Sequence, residues 1–116
     1  TFPKGSARPM AAGGSIHTWF ESLQTSATVL ETLEDGAPIL IGDGGQHYLG
    51  AWPDETALAR ILESLAQKAD VETERLPEGV RIRRTRSHEF LFNHNAESVV
   101  FRGEELPPAA VKIVAI

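Results

Sequence analysis

One run of this chain has the spacing of an amphipathic helix, and that constrains the fold more than any other feature. Leu58, Ile61, Leu62, Leu65 and Ala69 fall at the i, i+3, i+4, i+7 and i+11 positions that share one helix face. Pro53 or Asp54 marks the start, since the Asp54 carboxylate can accept hydrogen bonds from the free amides of a first turn. Glu55 and Lys68 suit the positive and negative ends of the helix dipole, and the helix is expected to close near Asp70. The rest reads as short strands and turns, so the predicted class is α+β, rich in β, with one helix.

The strand signals come in order. Residues 1–15 hold Gly, Pro, Ala and Ser and read as loop. Residues 17–23 and 28–33 are aromatic or β-branched runs, and Glu34-Asp35-Gly36 is a turn between strands. Pro38-Ile39-Leu40-Ile41 is a short apolar run suited to a strand buried on both faces. Gly42 to Gly45 turns the chain into a strand over residues 46–50. After the helix, residues 71–79 read as a linker. Four more strands are expected at residues 80–84, 89–92, 98–101 and 111–116. The alternation in the first of these breaks at Arg83-Arg84, which suggests a bulge. Turns fall at Asn93–Ala96 and Arg102–Glu104. The predicted division is therefore residues 1–71, with the helix, and residues 72–116, a small antiparallel β-sandwich or barrel-like unit.

A chain of 116 residues has room for one ordinary domain or two very small ones. Its net charge of −5 argues against general nucleic-acid affinity, which needs a basic surface. With no cysteine it has no disulfide, no thiolate nucleophile and no Cys-based zinc site. No run approaches the roughly 20 apolar residues of a membrane-spanning helix, and no signal peptide is visible. The first residue is Thr1, not Met, so the expectation is a processed product or part of a longer protein.

Candidate chemistry is sparse. His17, His47, His88 and His94 are scattered over strands and a turn, without the short spacing of a metal site. Glu34, Asp35, Asp43, Glu55, Glu63, Glu72, Glu74 and Glu78 occupy turns, helix surface or linker, where solvated carboxylates sit. Glu21, among Trp19, Phe20 and Leu23, is the exception; it reads as an outward strand residue with an Arg partner. The glycines at 42–45 lead into another strand, so they suit a hairpin better than a phosphate cradle. Arg81, Arg83, Arg84 and Arg86, with Arg75 nearby, form a basic cluster. Strand alternation puts Arg81 and Arg83 on one face and Arg84 and Arg86 on the other. No interleaved aromatic platform is evident beside them, so an acidic neighbouring domain fits better than nucleic acid. No Gly-x-Ser-x-Gly elbow supports a hydrolytic triad. No catalytic, cofactor-binding or metal residue is assigned. The runner-up function is a carbohydrate-binding β module stacking sugars on Trp19, Trp52 or Tyr48, although burial is expected of Trp52 at its strand-to-helix joint.

Three pieces of the sequence resemble the C-terminal portion of glycoside hydrolase family 42 β-galactosidases. Trp19-Phe20-Glu21-Ser22-Leu23 with Ala27-Thr28-Val29-Leu30 is similar to a "W-x-E-x-L … A-x-V-L" passage late in that family's trimerisation domain. Gly36-Ala37-Pro38 with Tyr48-Leu49-Gly50-Ala51-Trp52-Pro53-Asp54 resembles its "G-x-P … Y-x-G-x-x-x-D" ending. Leu76-Pro77-Glu78-Gly79-Val80 with Phe90-Leu91-Phe92-Asn93-His94 is similar to the "L-P-x-G-V … F-L-x-N-H" opening of its small C-terminal β domain. The resemblance implies the remnant of a flavodoxin-like α/β domain followed by a small antiparallel domain. It also implies that the two catalytic glutamates lie on a TIM barrel outside this chain. The expected partners are that barrel and further copies in a homotrimer, with no nucleic acid, no membrane and no cofactor. A cytoplasmic location goes with this reading.

Overall fold

The computed structural model describes residues 6–116, and they fall into two compact units that divide between Thr73 and Glu74. The described chain is mostly β, with antiparallel pairing and one helix.

In the first unit, β1 (Ala7–Pro9), β2 (Ser15–Phe20) and β6 (Ala51–Pro53) form a three-stranded sheet in the order β1-β2-β6. A second sheet is made of β3 (Val29–Thr32), β4 (Pro38–Asp43) and β5 (Gln46–Leu49). Met10 bridges to Leu33 between them. The helix α1 (Glu55–Lys68) follows β6 directly. Asp54 caps it, accepting from the Ala57 amide at 2.8 Å, and also takes the Ser15 amide at 2.9 Å. One carboxylate thereby ties the helix start to β2, and the Ala57 amide bond holds its pKa below the usual range. At the other end Asp70 adopts φ 57, and the Val71 amide returns to the Ala66 carbonyl at 2.8 Å. Ile16, Leu33, Ile39, Leu40, Ala57 and Ile61 lie at the centre of the core. Ile39 and Leu40 are adjacent and both buried, as a strand covered on both faces requires.

In the second unit, β7 (Val80–Arg84), β8 (His88–Asn93) and β11 (Val111–Ala115) pair in the order β11-β8-β7. β9 (Val99–Phe101) and β10 (Glu104–Leu106) make a hairpin. Its two-residue turn places Arg102 at φ 51 and Gly103 at φ 75, the pairing of positive angles that matches strand twist. Val80, Leu91, Phe101 and Leu106 form the core between sheet and hairpin.

Several local expectations need correction. The loop assigned to residues 1–15 contains β1 and the start of β2, and residues 1–5 of it lie outside the described residues. β6 and β10 were not expected, being only three residues each and set among turn residues. Across β7 and β8 the register runs unbroken from Val80↔Asn93 to Arg84↔Glu89, so no bulge exists there. Arg84 shares the inner face with Val80 and Ile82 because Glu89 stands opposite it. The buried helix face is also rotated from its predicted position. Ala57 and Ile61 are buried and Leu65 packs beside them, while Leu62 is 56% exposed. Gly14 decides this: a Cβ there would stand 2.8 Å from the Ala57 Cβ, so the chain approaches the helix closely only at a small residue.

Candidate functional site

The polar interior of the second unit is built on two residues. Asn93 ends β8 and is fully buried. Its amide nitrogen donates to the carbonyls of Glu97 at 2.9 Å, Leu106 at 3.0 Å and Pro107 at 3.0 Å. Its oxygen accepts from the Asn95 backbone amide at 3.0 Å. The Asn95 side chain in turn donates to the Glu78 carbonyl at 2.8 Å. Gly79, at φ 75, closes the motif, since a Cβ there would stand 2.3 Å from the Asn95 side chain. The Pro-Glu-Gly and Asn-His-Asn words of the sequence are thus two halves of one turn-on-turn contact.

Glu89 is the second. It is 3% exposed, yet Arg84 reaches one carboxylate oxygen and Arg102 the other. Arg102 also grips Glu74 through its Nε at 2.9 Å and a terminal nitrogen at 2.8 Å. Hydrogen bonds from Arg84 and then Arg102 hold the Glu89 carboxyl below its ordinary pKa, and the Arg102 bond does the same for Glu74. Sequence reasoning missed this cluster and placed Glu74 in a solvated linker. Only the β9–β10 turn brings Arg102 to both carboxylates. Glycosidic acid catalysis needs one carboxyl raised in pKa beside one ionised. Here the arginines drive both the same way, downward, which is a different arrangement.

The basic cluster splits. Arg81 and Arg83 stand opposite Phe92 and Phe90 on the outer face of the sheet, Arg84 turns inward, and Arg86 lies in the turn beyond β7. The expectation that no aromatic platform accompanies these arginines is overturned. The rings of His88, Phe90, Phe92 and His94 run in a row, with neighbouring centroids 6.5, 6.5 and 6.0 Å apart. Every second residue of one strand shares a face, which makes the row. Val111 and Ile113, opposite Phe92 and Phe90 on β11, complete an apolar outer surface.

In the first unit, Gly44 and Gly45 are the turn of the β4–β5 hairpin, where Asp43 pairs with Gln46. Glu31 lies beneath Arg60, which also donates to the Gly13 carbonyl at 2.5 Å. Glu21 sits just past β2; its partner is the Tyr48 hydroxyl rather than an arginine. That bond raises the Tyr48 pKa. Trp52 is 59% exposed, contrary to the burial expected of it, because β6 alternates and Ala51 takes the inward position. His17 pairs with Trp52 across β2 and β6, whereas His47 stands exposed on β5. His88 and His94 belong to the ring row of the second unit. Among the described residues, no three His, Asp or Glu groups converge as a metal site.

No family model matches the chain. It is similar to a beta-galactosidase of Thermus thermophilus, 37% identical over 81 residues that make up 70% of this chain and 13% of that protein. It is likewise similar to beta-galactosidase BgaA of a Thermus species, 35% identical over 85 residues, or 73% of this chain and 13% of that one. Among solved structures, beta-galactosidase from the psychrophilic Marinomonas ef1 matches 97% of this chain and 19% of its own, with TM-score 0.87 and 30% identity. The chain spans about an eighth of the length of the curated relatives it matches. It is homologous to a segment of beta-galactosidases.

Proposed function

We propose that the chain is a non-catalytic, C-terminal segment of a family 42 β-galactosidase whose task is packing and subunit assembly. The observation carrying this reading is that nearly the whole chain follows the fold of a beta-galactosidase while covering only 19% of it. The parent would hydrolyse terminal β-galactosides with retention, using two carboxylates on a barrel outside these residues. Its partners would be that barrel and further copies in a homotrimer, in the cytoplasm, with neither nucleic acid nor membrane.

Two surfaces support a packing role. On α1, Leu58 and Leu62 form an exposed apolar stripe one helical turn apart. On the outer sheet of the second unit, Phe90, Phe92, Val111 and Ile113 lie together, flanked by Arg81 and Arg83. Contiguous apolar surface of this kind marks a covered interface, and the two arginines call for an acidic rim on what covers it. The remainder of the parent polypeptide is the occupant proposed for both. The flavodoxin-like assignment of residues 1–71 rests on the sequence words alone; the antiparallel pairing of the described strands lends it no support.

The test is to assay the chain on a chromogenic β-galactoside and to read the coding sequence upstream of Thr1. No turnover, and an upstream barrel carrying two strand-end glutamates, are expected. Turnover that disappears in Glu21→Gln would sink the non-catalytic role, and an initiator Met just before Thr1 would sink the segment reading.

A further inference from the structure

β7 ends the order β11-β8-β7, so one of its edges has no strand beside it among the described residues. The Thr85 amide donates to the His88 carbonyl and the His94 amide to the Gly79 carbonyl, both at 2.8 Å. With the unbroken register between them, these bonds turn the backbone groups of Gly79, Arg81, Arg83 and Thr85 toward β8. Those of Val80, Ile82 and Arg84 therefore face the open edge. The Arg81 guanidinium donates to the Val80 carbonyl at 2.8 Å, which leaves Ile82 and Arg84 as the bonding positions. The same strand sets Arg81 and Arg83 on its outer face, both exposed, with Ile82 between them packed against the core. Among the described residues Arg8, Arg60, Arg84 and Arg102 each hold a carboxylate, whereas Arg81 and Arg83 hold none. A groove of about 330 Å³, bounded by Arg81, Ile82, Arg83, Phe92 and His94, reaches this strand. Open backbone bonding capacity, unpaired cationic side chains and free volume thus coincide along β7.

We propose that β7 takes up an additional antiparallel strand, supplied by the parent polypeptide, in which an apolar residue lies between two carboxylates. Ile82 exchanges both backbone bonds with the apolar residue, whose side chain extends the core-facing side of the sheet. Its two neighbours stand opposite Arg81 and Arg83 as the non-hydrogen-bonded pairs, where side chains approach closest. In strand addition the main-chain bonds supply affinity and the alternate side chains supply selection. A second copy of β7 is a poor occupant, since pairing centred on Ile82 would set Arg81 against Arg83. Nucleic acid has no backbone amides to complete the ladder, and the net charge of −5 opposes it. The inference deepens the packing role and rests on the parent-enzyme reading only for the source of the strand.

The full chain is titrated with the end-capped peptide Ser-Glu-Val-Glu-Val-Glu-Ser and followed at its backbone amides by nuclear magnetic resonance. Saturable shifts centred on Ile82 and Arg84 are expected, with a dissociation constant on the order of 0.1 mM at low salt. Affinity should fall about tenfold when glutamine replaces every glutamate of the peptide, and several-fold in Arg81→Gln and in Arg83→Gln. Both arginines are exposed and outside the core, so unchanged shifts in the rest of the sheet show that the variants fold. No saturable shift, equal affinity for the glutamine peptide, or undiminished affinity in both variants overturns the proposal. Shifts centred on Phe90, Phe92 and Ile113 also overturn it, because the peptide then lies on the sheet face. Shifts at Ile82 on concentrating the chain alone overturn it in favour of a second copy, and tighter binding of oligothymidylate at the same amides in favour of nucleic acid. The upstream coding sequence tests the source separately: a barrel there without peptide binding removes only the added strand, while peptide binding without a barrel removes only the parent as its donor.

Discussion

The two units solve the same problem with different materials. The first buries a continuous apolar set from both sheets and the helix, with Ile16, Leu33, Ile39 and Ile61 essentially inaccessible. The second, Glu74–Ile116, has only Val80, Leu91, Phe101 and Leu106 at its centre. A unit that small buries too little apolar surface to be secure on hydrophobic grounds alone. It places Asn93 and Glu89 inside instead, each with its hydrogen-bonding capacity largely filled. A satisfied polar interior specifies one arrangement, but removing a single member leaves several buried groups without partners. The first unit should therefore fail by cavity and the second by orphaned polar groups.

Both tryptophans lie in the first unit, so fluorescence follows that unit and hydrogen exchange of residues 80–116 follows the other. The largest effect is expected from Ile61→Ala, a loss of about 4 kcal/mol in the tryptophan transition. Exchange in residues 80–116 should change little; parallel loss in both probes would show that the units do not stand apart energetically. Asn93→Ala comes next, with about 3 kcal/mol lost, because the carbonyls of Leu106 and Pro107 and the Asn95 amide lose their partner. Protection that survives this change would contradict the polar account of the second core.

Gly79→Ala should cost about 2 kcal/mol, since alanine disfavours the positive φ and its Cβ meets Asn95. Smaller still is the acid dependence. The folded pKa values of Glu89 and Glu74 lie below the ordinary value of 4.5. Their stabilisation is thus complete above that pH and is lost as pH falls through the folded values. Protection factors in residues 80–116, taken relative to the intrinsic exchange rate at each pH, should fall below about pH 4.5, and Glu89→Gln should flatten that profile. An equally steep profile in that variant would assign the acid sensitivity elsewhere. Leu62→Gln should leave the stability of the chain within about 0.5 kcal/mol, as an exposed position does. The same change in the full-length parent is expected to impair assembly, which size-exclusion chromatography reads.

Legibility in the sequence followed the range of the interactions. The helix and its Asp54 cap were readable because the cap reaches only to Ala57. The Gly44-Gly45 and Arg102-Gly103 turns were readable because positive φ requires particular residues locally. β6 and β10 were not, since three residues carry no periodicity and pairing alone makes them strands. The orientation of α1 was misread for a related reason. Leu58 and Leu62 are as apolar as Ile61, and only the close approach of Gly14 selects the Ala57–Ile61 face.

By itself, then, the sequence determined the class, one helix among short antiparallel strands, together with the turns and the words that resemble a galactosidase. Those depend on side-chain chemistry within a few residues, where hydrogen-bonding reach and backbone preference act directly. Tertiary structure decided which apolar helix face is covered, and that Arg84 and Arg102 converge on Glu89. Each of these joins residues far apart in the chain, and only the paired strands bring them within a few ångströms.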